Sequence, residues 1–314
     1  MNILYIIIGL VLLILGGDWL LKASVNISLK LNISKIVIGM TVVSFATSAP
    51  ELIVSIKSAL DGFPDLALGN VIGSNIANLA LVLGVTICLG TIDVGKSFYT
   101  IDWPMMMVAS VLLYLFIGYD LILDRTEGTV LFLILIAFLY YLLRLQSKTT
   151  ITDEELDIQN DETPLIKTLF LLFIGGIGLW GGSELLIKGA VGFAEALGIS
   201  ERIIGVTIVS VGTSIPELAA SIIAIIKKEK AISLGNLIGS NIFNILAVLG
   251  ITSMITPVKV GDLNIITNDI YWMLGVALLV FPLCFIPTKL KFGFKEGIVL
   301  LATYAAFIYF TVFS

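Results

Sequence analysis

The chain contains no histidine and only two cysteines, Cys88 and Cys284. The first absence removes imidazole-based metal centres and histidine acid–base chemistry. The two cysteines sit in apolar surroundings and read as small core residues, not as a disulfide. Charge is scarce as well. Asp, Glu, Lys and Arg make up 13% of the 314 residues, where a soluble domain carries about 25%. No basic patch with interleaved aromatic residues occurs, so nucleic-acid binding has no support. The net charge of −5 is dominated by one stretch near 147–164, which holds Asp153, Glu154, Glu155, Asp157, Asp161 and Glu162. That stretch reads as a solvated linker, and its acids do not follow the spacing of a calcium-binding EF-hand loop. The N-terminal apolar run has no basic leader and reads as a first membrane span, not a cleaved signal.

What the chain does have is apolar length. It is 58% hydrophobic with a mean hydropathy of +1.08, and its apolar runs reach the length of about 20 residues that a bilayer requires. The expected fold is an all-α polytopic membrane protein. Ten spans are expected, near 3–24, 33–58, 66–90, 101–119, 127–146, 165–188, 202–226, 232–255, 268–287 and 294–313.

The second span holds the most unusual stretch. Ser44, Thr47, Ser48, Glu51 and Ser55 recur at i, i+3, i+4, i+7 and i+11, which places them on one face of a helix. A carboxylate at mid-membrane costs about 2.5–3.5 kcal/mol on insertion scales, so Glu51 needs a partner, a proton or an ion. Pro50 lacks an N–H and pushes Ala49 out of the α region, which frees carbonyls about one turn upstream. Unwound backbone at membrane depth is tolerated where it lines a cavity.

The stretch occurs twice. Gly39–Ser55 and Gly205–Ser221, 166 residues apart, share 10 of 17 positions, including Ser210, Thr213, Ser214 and Glu217. A second stripe follows in spans three and eight. Gly69–Asn78 and Gly235–Asn244 share eight of ten positions, with Asn70, Ser74 and Asn78 matched by Asn236, Ser240 and Asn244. Helix packing alone accounts for a single Gly/Ser/Asn stripe. Beside two Ser/Thr/Glu stripes, the four together read as a closed polar ring within an apolar bundle.

The repeats are placed at 1–146 (core 36–90) and 165–314 (core 202–255), joined by the linker 147–164. Five spans per repeat is an odd number, so the second copy is inverted in the membrane, the arrangement that points to a secondary transporter. Thirteen Lys and Arg fall on the face opposite the termini and five on the terminal face. The positive-inside rule then puts both termini outside, on the extracellular or periplasmic side of a cell membrane. The ring offers two carboxylates, hydroxyls, amide oxygens and carbonyls, with no sulfur or imidazole. That is a hard-cation set suited to calcium, sodium or both in competition.

The paired Thr-Ser-x-Pro-Glu and Gly-Ser-Asn-Ile-x-Asn stretches resemble the α-repeats of the cation/calcium antiporter superfamily, specifically the sodium/calcium exchangers. The resemblance covers the whole chain. It implies that spans two, three, seven and eight line the ion sites while spans one and six move across them. It also implies that Glu51 and Glu217 are the principal calcium ligands. Thr47, Ser48, Thr213, Ser214, Ser74 and Ser240 would bind sodium, Asn78 and Asn244 would complete the centre, and the carbonyls of Ser44 and Ser210 would contribute. Three positions depart from the family pattern. Ala46 replaces a glycine, Ala49 a larger aliphatic residue, and Asn244 an aspartate found in some exchangers.

The expectation is therefore an antiporter exchanging sodium for calcium, with the two ions and the bilayer as partners and no cofactor, nucleic acid or protein partner. A proton/calcium exchanger using the same glutamates is the alternative. A channel would need an open path, an enzyme would need a nucleophile or a metal-binding His set, and a purely structural protein leaves two buried carboxylates without a role.

Overall fold

In the computed structural model, residues 2–145, 164–196, 210–287 and 289–313 are described. The acidic linker up to residue 163 and residues 202–209 of the expected seventh span lie outside them. Among the described residues, eight helices are long and apolar enough to cross a membrane: α1 (Asn2–Leu31), α4 (Pro64–Leu89), α5 (Phe98–Asp120), α6 (Arg125–Leu145), α7 (Leu165–Ala196), α9 (Lys230–Ile255), α10 (Ile265–Leu283) and α11 (Phe294–Phe313). A ninth span is broken into α2 (Lys35–Thr47) and α3 (Ala49–Leu60). The short apolar helix α8 (Ile215–Ile226) is the described part of the expected seventh span. These helices are compatible with the ten expected spans, of which the seventh is described only from residue 210.

The described residues form two compact units, one of residues 1–47 and 138–236 and the other of 48–137 and 237–314. In the first unit, α1 and α7 pack antiparallel along glycines spaced seven apart, Gly9 and Gly16 against Gly182 and Gly175. Two apolar helices in a membrane associate by close van der Waals contact, which small residues permit. The contact leaves no spare room. A Cβ at Gly16 would lie 2.7 Å from the Leu179 nitrogen and 2.9 Å from the Gly175 carbonyl. Leu13, Leu20, Leu21, Leu179, Ile223 and Ile232 form the core beside this seam.

The second unit carries two small antiparallel sheets. β1 (Ile92–Asp93) pairs with β4 (Lys291–Phe292), and β2 (Ile122–Leu123) pairs with β3 (Val258–Lys259). These pairings settle the architecture. β1 and β2 sit at opposite ends of the α5 crossing, so the two sheets lie on opposite faces of the membrane. β1 and β3 are repeat mates 166 residues apart, yet they belong to different sheets. The two copies are therefore inverted. The same pairings require an even number of crossings between 93 and 291 and between 123 and 258, as ten spans provide.

Candidate functional site

The second span breaks just ahead of its proline, at Ser48 and not at Ala49, which is already the first residue of the following helix. Pro50 occupies the first turn of α3 and Ser48, with φ −87° and ψ 1°, ends the preceding helix. The second copy repeats this geometry at Ser214, with φ −88° and ψ 3°, followed by Pro216 in the first turn of α8. Glu51 and Glu217 both fall in the first turn after the break and are completely buried. A helix N-terminus carries partial positive charge, so this position stabilises a carboxylate that has lost its water.

The break changes one expectation. The five-residue stripe from Ser44 to Ser55 is not one continuous helix face. Ser44 and Thr47 lie in the last turn of α2 in the first unit, whereas Ser48 at the break and Glu51 and Ser55 of α3 belong to the second. Of the twelve residues expected at the site, Ser44, Thr47, Ser210, Thr213, Ser214 and Glu217 belong to the first unit. Ser48, Glu51, Ser74, Asn78, Ser240 and Asn244 belong to the second. The Ser210 side chain lies outside the described set.

In the first unit, a π-turn at Gly39–Val43 precedes Ser44. Gly39 crosses α9 so closely that a Cβ would lie 2.5 Å from the Ile232 carbonyl. That approach brings the end of α2 onto Asn236. Ser44 Oγ lies 2.8 Å from the Gly39 carbonyl and 3.0 Å from the Asn236 carbonyl, and shares its proton between them. Thr47 Oγ1 donates to Asn236 Oδ1 at 3.2 Å. In the second copy, Pro216 leaves the Gly212 carbonyl without its helical donor, and Ser183 of α7 supplies one at 2.9 Å. Ser183 was not among the expected residues; only its position 166 residues after Gly17 could have drawn attention to it.

In the second unit, α3 packs against α4 and against the π-turn Asn244–Leu249 of α9. Asn70 donates to Ser55 Oγ at 3.0 Å, which fastens the two stripes of the first repeat together. Asn75, outside the expected set, joins the two repeats. Its amide donates to the Asn241 carbonyl at 3.3 Å, and its Oδ1 accepts from Asn244 Nδ2 at 3.1 Å. Asn244 Oδ1, Ser48 Oγ and both polar atoms of Asn78 are buried without a hydrogen-bond partner among the described residues. Each such atom costs about 1–3 kcal/mol, so oxygens left in this state are available to a cation. Like the Glu51 carboxylate, these are hard oxygen donors, the type that Ca2+ and Na+ accept.

Comparison with known proteins agrees with this chemistry. The family model described as sodium/calcium exchanger protein matches residues 1–144 and 167–313. The putative antiporter CaxA of Alkalimonas amylolytica is 38% identical over 318 residues, covering 98% of this chain and 97% of that protein. The sodium/calcium exchanger MaX1 of Methanosarcina acetivorans is 31% identical over 344 residues, covering 98% of this chain and 97% of its own length. A solved structure of the sodium-calcium exchanger NCX_Mj, soaked with Na+ and Sr2+, superimposes with a TM-score of 0.83 at 31% identity, covering 100% of this chain and 98% of that one.

Proposed function

The chain belongs to the sodium/calcium exchanger family, whose members are transporters and not enzymes, and it is a cation/calcium antiporter; from that premise we propose that sodium is the counter-ion and that Glu51 and Glu217 hold calcium. The observation that carries this reading is the pair of wholly buried glutamates, each one turn past a proline-led helix break in inverted copies of one sequence. Two carboxylates neutralise one divalent ion or two monovalent ones. The hydroxyls of Thr47, Ser48, Thr213, Ser214, Ser74 and Ser240, the carbonyls of Ser44 and Ser210, and the amide oxygens of Asn78 and Asn244 complete the oxygen shells. Sodium and calcium then compete for overlapping donors. The doubly negative empty site is costly to carry past lipid, whereas loaded states can reorient, which couples the two fluxes. The protein works by alternating access in a cell membrane, with both termini outside.

The test is uptake of radioactive calcium into proteoliposomes. An outward sodium gradient should drive uptake, while a potassium gradient should not. Uptake that follows an outward proton gradient and ignores sodium would refute the sodium reading and favour proton/calcium exchange.

A further inference from the structure

Resting on the antiport reading, we propose that Asn236 is a positioning residue for sodium. It is not itself an ion ligand. It takes the hydroxyl proton of Thr47 and so leaves the Thr47 oxygen with only lone pairs to offer.

The need for such a residue comes from hydroxyl chemistry. A threonine hydroxyl has one proton and two lone pairs. It can ligate a cation only while its proton points elsewhere, and an unheld hydroxyl rotates. A fixed acceptor beside it settles the direction before an ion arrives, as outer-shell partners do for metal ligands in general. Three observations in the first unit put Asn236 in that role.

The bond itself is buried. Thr47 Oγ1 donates to Asn236 Oδ1 at 3.2 Å, closer than the Ser44 carbonyl at 3.4 Å. Thr47 is completely buried and Asn236 is 1% exposed, so bulk water is kept away from the bond.

The backbone holds the two residues together. α2 and α9 cross at two glycines: a Cβ at Gly39 would lie 2.5 Å from the Ile232 carbonyl, and one at Gly235 would lie 2.3 Å from the Ile36 carbonyl. This crossing sets Asn236 against the last turn of α2, where its own carbonyl also accepts from Ser44 Oγ at 3.0 Å.

The amide is turned against its own interest. With its oxygen on Thr47, Asn236 Nδ2 is buried without a hydrogen-bond partner among the described residues, which destabilises the fold. Its repeat mate Asn70 has the other arrangement, donating through Nδ2 to Ser55 Oγ at 3.0 Å. Ser221, the mate of Ser55, also has a buried Oγ without a partner among the described residues. An asparagine that only fills space here would be better as leucine. What the position needs is the oxygen.

The test is sodium binding to the purified protein, read as the rise of the unfolding midpoint in NaCl over KCl at equal ionic strength, which requires no transport. In Asn236→Leu the midpoint in KCl should equal or exceed the parent's, because a buried orphan donor is gone. The sodium concentration that gives the parent's rise should increase about 10-fold, the low end for outer-shell partners. Asn236→Ala, which removes the acceptor without adding apolar bulk, is the second variant and should weaken sodium by the same factor. Thr47→Val should weaken sodium too, and Asn236→Leu/Thr47→Val no further than Thr47→Val alone, whereas Thr47→Ser keeps the hydroxyl and should stay sensitive to Asn236→Leu. An unchanged sodium response in both Asn236 variants, or losses that add fully with Thr47→Val, overturns the positioning role and leaves the antiport reading standing. A parent whose midpoint ignores sodium rejects the sodium reading itself, and this role with it.

Discussion

Replacing Asn75 with alanine probes a buried side chain that ties the two repeats together within the second unit. Asn75 donates to the Asn241 carbonyl at 3.3 Å and accepts from Asn244 Nδ2 at 3.1 Å, beside a weaker contact of its Nδ2 with Met273 Sδ at 3.8 Å. A buried hydrogen bond contributes about 1 kcal/mol net, and stranding the Asn244 amide adds about 1–3 kcal/mol. The expected loss is about 2–4 kcal/mol. At about 2–4 °C per kcal/mol, the scaling for chains of 150–250 residues, the unfolding midpoint of the purified protein should fall by about 5 °C or more at a fixed scan rate. Asn244 would also lose the bond that orients its Oδ1, so half-saturating calcium for sodium-driven uptake should rise. A double-mutant cycle separates the two effects. If Asn75 acts on calcium through Asn244, then Asn75→Ala/Asn244→Ala should bind calcium no more weakly than Asn244→Ala alone. Fully additive losses, agreeing within about 0.5 kcal/mol, would refute the coupling. An unchanged midpoint in Asn75→Ala would refute the bonds themselves.

Other outcomes follow from the same geometry. Glu51→Gln and Glu217→Gln are nearly isosteric and easier to bury, so each should abolish calcium uptake while the purified protein stays monodisperse; wild-type flux in either would remove that residue from the site. Asp93 and Lys259 are exposed repeat mates in opposite sheets. In a background with Cys88→Ala and Cys284→Ala, a membrane-impermeant methanethiosulfonate should label Asp93→Cys from the cytoplasmic side only and Lys259→Cys from outside only, and same-side labelling would contradict the inversion. Gly16→Ala drives a Cβ into the Leu179 and Gly175 backbone, which cannot turn aside as a side chain would. Overpacking of this kind costs about 1–3 kcal/mol, seen as a lower unfolding midpoint than in the parent; an equal midpoint would mean that α1 and α7 do not touch there.

Most of the fold was legible because membranes impose coarse rules. Apolar length gave the spans, the 166-residue offset gave the repeats, and their odd span count gave the inversion that the crossed strand pairs β1–β4 and β2–β3 bear out. The proline at position 50 located the break. The sequence did not reveal the π-turns at Gly39–Val43, Ala77–Val82 and Asn244–Leu249. A π-turn inserts one residue into the helical count, and apolar periodicity carries no sign of it in spans that are apolar on nearly every side. Asn75 escaped notice for a related reason. The i, i+4, i+8 pattern selects Asn70, Ser74 and Asn78 and passes over a residue whose role depends on the facing helix. Ser183 escaped because its partner is a backbone carbonyl, and carbonyls leave no mark in a sequence.

The two copies share a backbone plan yet bond differently, and that difference has energetic meaning. Two inverted copies of one identical sequence would give two access states of equal free energy, because each state would be the other turned over. Here the mates diverge at defined atoms. Asn75 reaches across to α9, while its mate Asn241 donates to Leu237 within its own helix. Asn244 Nδ2 is held by Asn75, while both polar atoms of its mate Asn78 have no partner among the described residues. Ser183 covers the Gly212 carbonyl, where the mate pair is Gly17 and Ala46. In the alternating-access reading proposed above, each departure adds a free-energy difference between two states that the repeats alone would leave degenerate. On that reading, the motif residues that the two repeats share determine which ions bind, but they cannot determine which side the protein favours. That preference has to come from the residues in which the repeats disagree.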